Sequence, residues 1–142
     1  PEAITSNAGW DTIKNESFLT EVVAEFKRNA IRTSLFVEAD ARMIENAKKT
    51  GTDRVELYTE QYATDFAKSP EDAVRPFVEA ARAAAANSLG LNAGHDLNLD
   101  NLRYFAHSVP GLLEVSIGHA LIADSLYLGL ENTIQLYLRQ LR

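Results

Sequence analysis

The chain contains no cysteine, which excludes disulfides and thiolate chemistry and permits a reducing compartment. It is also short of positive charge: 14 Lys and Arg stand against 20 Asp and Glu, a net charge of -6. Phosphate backbones are held by clustered Lys and Arg, so no nucleic-acid role is expected. The densest basic spot, Lys48-Lys49, reads as the C-terminal end of a helix. No apolar run approaches the length of a membrane span, and no signal-peptide pattern opens the chain. His95 and His119 lack a third ligand cluster at supporting spacing, so no zinc site is expected. An initiator methionine is missing, and Pro1 through Trp10 reads as a loop entered midway; a fragment or a processed chain is expected.

What is present fits one compact domain. The 142 residues are 46% hydrophobic and 24% charged, ample for a buried core. After a loop-like start, Phe18, Leu19, Val22, Val23, Phe26 and Ala30 fall at helical spacing. Arg32–Val37 is β-branched and aromatic and predicts a strand. Asp40 is placed to cap a helix burying Met43, Ile44 and Ala47 and ending at Thr50-Gly51. Arg54–Thr59 predicts a second strand, with Val55 and Leu57 on one face and Glu56 and Tyr58 on the other. A polar loop is expected up to Ser69-Pro70, which has the form of a helix start. Pro76 is expected to break that turn and begin the main helix, Phe77–Asn87, with Gly90 as its stop.

Two later stretches share one shape. Leu89–Asp96 and Leu113–His119 are each an apolar run that stops at Gly-His and enters a helix. Asn98 and Asp100 sit where a cap belongs for the helix carrying Leu102, Phe105 and Ala106. The last helix places Leu130, Ile134, Tyr137, Leu138 and Leu141 on one side. Four strand-helix units without a hairpin signal imply parallel strands and right-handed crossovers. Central strands of a doubly wound sheet are apolar on both faces, whereas Glu56 and Glu114 lie mid-strand opposite apolar residues. That pattern suits a polar lumen, and half of an eight-unit β/α barrel is the expected architecture.

The chemistry gathers at these strand ends. Imidazole titrates near neutrality, so His95 suits proton transfer; a structural histidine is the other reading. A mid-strand carboxylate is costly to bury unless bonded or used, which singles out Glu56, with a structural ion pair as the alternative. Gly118-His119 before Ala120-Leu121-Ile122 is a glycine followed by a helix N-terminus, an arrangement that binds phosphate in barrels; a plain strand-to-helix turn is the alternative. His107 near a helix end is given no role.

Ser34–Asp40, Val55–Thr59 with Tyr62-Ala63, Leu89–Leu97 and Ser116–Ile122 together resemble successive motifs of pyridoxine 5'-phosphate synthases. The likeness runs in order from Pro1 to near Arg142 and covers the C-terminal portion of that family's chain. The resemblance implies a TIM barrel that condenses 1-deoxy-D-xylulose 5-phosphate with 3-amino-2-oxopropyl phosphate, without metal or organic cofactor. It implies His95 as proton donor, Glu56 as transition-state stabiliser and Thr5 as a deoxyxylulose phosphate contact. It also implies Asp96, Gly118 and His119 as contacts to the aminoketone phosphate. The expected domain is a single partial barrel over 1–142, from the fourth barrel helix through the last. A cytoplasmic homo-oligomer, octameric when intact, is implied, with an N-terminal half as partner and no membrane.

Two positions depart from the family's pattern. Asp96 stands where glycine is common, placing a carboxylate beside a proposed anion site. The loop Thr5–Asp11 differs from the commoner Thr-Thr-Glu-Gly-Gly. The family's first four strands also supply a second catalytic histidine, a catalytic glutamate and further His and Arg ligands, none of which lies in these residues. Another phosphate-binding barrel enzyme and a non-catalytic half-barrel assembly remain the alternatives at this level.

Overall fold

The computed structural model describes residues 6–142. Among them the order is α1 (Glu16–Arg28), β1 (Ser34–Val37), α2 (Ala41–Lys49), β2 (Arg54–Tyr58), α3 (Glu60–Phe66) and α4 (Pro70–Ala86). It continues with β3 (Gly90–Gly94), α5 (Leu102–Ser108), β4 (Leu112–Ser116), α6 (His119–Leu128) and α7 (Leu130–Gln140). The strands form one parallel sheet in the order β1-β2-β3-β4. A doubly wound sheet reverses direction at a switch point; this one advances without reversal, as in half of a β/α barrel.

Strand periodicity sorts the side chains onto two faces. Leu35, Val37, Val55, Leu57, Leu91 and Ala93 join Ile44, Ala47, Phe77, Ala80, Ala81, Ala84, Leu102 and Phe105 in one core between sheet and helices. The opposite face carries Phe36, Glu56, Asn92 and Glu114 in one row across the strands. A register shift near Leu113 absorbs one extra residue, so Glu114 and Ser116 stay on that face. Tyr62 is fully buried, with its ring 4.9 Å from that of Phe105 and its hydroxyl donating to the Asn101 carbonyl at 2.7 Å.

The caps follow local chemistry. Asp40 accepts from the Arg42 N–H at 2.8 Å, and Ser69 accepts from the Asp72 N–H with Pro70 opening α4. Three expectations are corrected. The loop before Ser69 contains α3, whose seven residues bury Tyr62 alone, too short a stripe to register as a period. Pro76 neither breaks nor begins a helix: α4 runs through it. Proline removes one hydrogen bond to the preceding turn, but Ala73, Val74, Phe77, Ala80, Ala81 and Ala84 are all buried along α4 and hold it against the core. Its stop is Ser88 at φ +52, with Leu89 N–H donating to Ala84 O at 2.9 Å. Gly90 lies instead inside β3.

Apolar surface is left open beside both sheet edges. In α1, Leu19 and Val23 are buried, but Phe18 is 54% exposed. Beyond β4, α6 buries no residue and Leu126 is 82% exposed. Among the described residues no helix is long and apolar enough to cross a membrane.

Candidate active site

The concave face is polar at mid-depth because charged and amide side chains pair there. Arg54 Nη1 lies 3.0 Å from Glu114 Oε1 and donates to Asn92 Oδ1 at 3.1 Å; Asn92 Nδ2 donates to Glu114 Oε2 at 3.3 Å. Arg32 reaches the same carboxylate at 3.6 Å. A Cβ on Gly90 would stand 2.7 Å from Arg54 Cγ, so the glycine gives the arginine its path across the sheet. Among the described residues, the ion pairs of this face engage Glu114 and leave Glu56 out.

One layer toward the strand ends, Glu56 extends over Gly94. A Cβ there would overlap Glu56 Oε1 and stand 3.0 Å from Ser116 Cβ. The chain then turns sharply: His95 has φ +97 and Asp96 φ +56, values unusual outside glycine. The His95 ring meets Tyr58 edge-on, with centroids 4.7 Å apart, and Tyr58 in turn lies against Phe36 at 5.1 Å. Asp96 Oδ2 stands 3.0 Å from His95 Nδ1. The approach is too oblique for a hydrogen bond, so Nδ1 is buried without a partner among the described residues. The Asp96 carboxylate, 46% exposed, is thus turned to the imidazole.

His95 borders two open clefts. One, about 840 Å³, is lined by Phe36, Glu56, Gly94, His95 and the loop 6–10. That loop is seated on β1: Trp10 N–H donates to Phe36 O at 2.7 Å and Gly9 N–H to Glu38 Oε1 at 2.9 Å. A Cβ on Gly9 would stand 2.5 Å from the Val37 backbone, so only glycine allows this approach. Thr5 lies outside the described residues. The second cleft, about 810 Å³, is lined by His95, Asp96, Ser116, Gly118, His119 and Ala120 among others. Gly118 and His119 open α6, which has no side-chain cap, and first-turn N–H groups lack intrahelical partners. Glu56, His95, Asp96, Gly118 and His119 are therefore brought to one end of the sheet, and His95 divides them.

Sequence reasoning missed Tyr58, Thr59 and Asn101. Burial is the first cause that pushes the Tyr58 hydroxyl up to about 12, followed by its bond to Glu60 at 2.8 Å and the charges of Glu60, Glu38 and Asp96. Alternation placed Tyr58 on the Glu56 face, which is the signal that pointed to it. An unfolded tyrosine ionises near pH ~10. From there to about pH 12 the unfolded chain sheds a proton that the folded chain keeps. This stabilisation is complete below the unfolded value and declines as pH rises through the window. Resistance to urea should therefore fall over that interval, and Tyr58→Phe should make the slope shallower; an unchanged slope would remove Tyr58 as a source.

A sequence model of the pyridoxal phosphate biosynthesis protein PdxJ family matches residues 1–142. The pyridoxine 5'-phosphate synthase of Bacteroides fragilis is 64% identical over 142 residues, which are 100% of this chain and 60% of the relative. Those of Cytophaga hutchinsonii and Flavobacterium johnsoniae are 61% and 58% identical over 140 residues, 99% of this chain and 59% of each relative. The chain thus spans about three fifths of the length of the curated relatives it matches. With the whole chain matched, and a parallel four-strand sheet bearing the resembling motifs at one end, the protein belongs to the pyridoxal phosphate biosynthesis protein PdxJ family.

Proposed function

We propose that residues 1–142 are a single partial barrel domain, from the fourth barrel helix through the last. They would supply the C-terminal part of a pyridoxine 5'-phosphate synthase. The reaction joins 1-deoxy-D-xylulose 5-phosphate to 3-amino-2-oxopropyl phosphate and releases phosphate and water. The observation that carries this reading is the place of His95: a titratable ring at a strand end, with the Glu56 carboxylate in one cleft and the uncapped start of α6 in the other.

Each role follows from chemistry at a stated atom. His95 serves as proton donor, because water leaves only when a carbonyl oxygen has gained protons, and imidazole both holds and returns them near neutral pH. Glu56 faces the ring under construction and stabilises positive charge that develops on the amine-derived nitrogen. Gly118 and His119 offer backbone N–H groups to the aminoketone phosphate, with the Asp96 N–H beside them. Thr5 contacts the deoxyxylulose phosphate. The Asp96 carboxylate stands 3.0 Å from His95 Nδ1 at the edge of the cleft assigned to the phosphate. No metal or organic cofactor is required by these roles.

Charge balance argues for a partner segment. Two phosphorylated substrates enter clefts whose surroundings include Glu38, Glu56, Glu60 and Asp96. Among the described residues the lining of the two clefts includes the His95 and His119 rings but no Lys or Arg, so cations from an N-terminal half are needed. The open apolar surfaces beside β1 and β4 suit closure by that half. A cytoplasmic homo-oligomer, octameric when intact, completes the proposal.

The test joins this chain to the N-terminal part of its Bacteroides fragilis relative and assays pyridoxine 5'-phosphate from both substrates. Turnover by the joined barrel and none by the 142 residues alone supports the proposal. Product from the isolated chain overturns the division of roles. A joined barrel that binds inorganic phosphate but not 1-deoxy-D-xylulose 5-phosphate overturns the substrate assignment in favour of another phosphate-binding barrel.

A further inference from the structure

We infer that Thr59 and Asn101 are positioning residues that lock the left-handed His95-Asp96 turn; the inference rests on the proposed role of His95. Two successive non-glycine residues with positive φ, +97 and +56, persist only where the surroundings over-determine them. Three consecutive carbonyls supply that constraint. Gly94 O accepts from the Thr59 N–H at 3.0 Å, His95 O accepts from the Thr59 hydroxyl, and Asp96 O accepts from Asn101 Nδ2 at 3.2 Å.

Both donors are drawn away from their usual work. Thr59 is the N-cap of α3 and Asn101 the N-cap of α5, positions where such side chains accept from the first helical turn. Neither makes a side-chain cap bond to its own helix. The Thr59 hydroxyl donates to His95 O instead, and the Asn101 amide divides between Asp96 O and the Asn98 N–H, the latter at 2.9 Å. Both residues are buried, at 0% and 3% exposure. Asn101 is itself fixed: its carbonyl accepts from Tyr62 at 2.7 Å, and its N–H donates to Asn98 Oδ1 at 3.1 Å. With all three carbonyls held, the imidazole stays on the boundary between the two clefts. Tyr58 limits its rotation from one side.

The experiment compares Thr59→Val, which keeps the shape and removes the hydroxyl, with Thr59→Ser, which keeps the hydroxyl. Both are made in the joined barrel, and Asn101→Asp removes the second donor while keeping Oδ1. Small misplacements of a reacting group are costly, so Thr59→Val should lower kcat about tenfold with KM for both substrates within about threefold. Thr59→Ser should restore kcat to within about twofold of the parent, and Asn101→Asp should behave like Thr59→Val. In the 142-residue chain, Thr59→Val should speed exchange of the residue-59 amide, which donates to Gly94 O at 3.0 Å, about tenfold while Leu91 and Ala93 are unchanged. Parent-like kcat in Thr59→Val, failure of serine to rescue, or a kcat loss matching the unfolded fraction would each overturn the inference. If the unmutated joined barrel is inactive, the functional reading fails. The exchange result then decides the turn-locking role alone, with unchanged rates overturning it.

Discussion

His95→Gly in the joined barrel is expected to lower turnover about 10²–10⁴-fold, the range for loss of a positioned proton donor. Stability should remain close to that of the parent. Three terms set the second outcome. Relief of the φ +97 backbone returns about 1–3 kcal/mol. Loss of the edge-on ring contact with Tyr58 costs about 0.5–1.5 kcal/mol. Glycine's extra freedom in the unfolded chain costs about 0.5–1 kcal/mol. Their near cancellation separates this site from a core position, where removing a ring costs about 3–5 kcal/mol. His95→Ala keeps the backbone penalty and loses the ring, so it should be the less stable of the two while equally inactive. Product formation by the joined barrel and urea unfolding of both variants provide the comparison. A glycine variant that retains turnover would remove His95 from the chemistry, and one destabilised more than alanine would show that the turn carries no strain.

The contrast between these variants turns on a feature that sequence reading did not reach. Alternation in Arg54–Tyr58 and the Gly-His strand ends were legible because each depends on residues a few positions apart. So were the Asp40 and Ser69 caps, whose partners lie two and three residues on. What was missed depends on residues far apart in the chain. Gly90 reads as a helix stop if only its neighbours are considered; its cause is Arg54, which crosses it from the adjacent strand. Thr59 reads as the end of a strand, yet its hydroxyl meets the carbonyl of His95, 36 residues later. The left-handed turn falls on His and Asp rather than on glycine, so no composition signal announces it. The half-barrel architecture was legible from the mid-strand Glu56 and Glu114 and the four strand-helix units, whereas the row that joins those carboxylates through Asn92 appears only in the register of adjacent strands. The residues of the candidate site were therefore found through their family resemblance and local spacing. The bonds that place them became visible only once the strands were in register.

Gly94→Ala is expected to reduce turnover about 100-fold, because the new methyl displaces Glu56 and crowds the strand end that carries His95. The added carbon would overlap Glu56 Oε1, stand 3.0 Å from Ser116 Cβ and lie 3.2 Å from the Ser116 carbonyl. Gly94 is not among the glycines with positive φ, so the effect is one of space and not of backbone preference. The glutamate is flexible and can swing aside, whereas the β4 backbone yields less readily, so overpacking should cost about 1–3 kcal/mol. Gly90→Ala supplies the comparison. It lies two pleats lower on the same strand, and its methyl would stand 2.7 Å from Arg54 Cγ. It should lose similar stability through the Arg54-Glu114 pair, yet keep turnover within about threefold of the parent, since that layer holds no proposed reacting group. The ratio of activity loss to stability loss is thus the measured quantity. A large ratio at Gly94 and a small one at Gly90 assign the gap above Gly94 to the placement of Glu56. Equal ratios would make both glycines packing features of the sheet and leave the Glu56 carboxylate without a demonstrated position in the site.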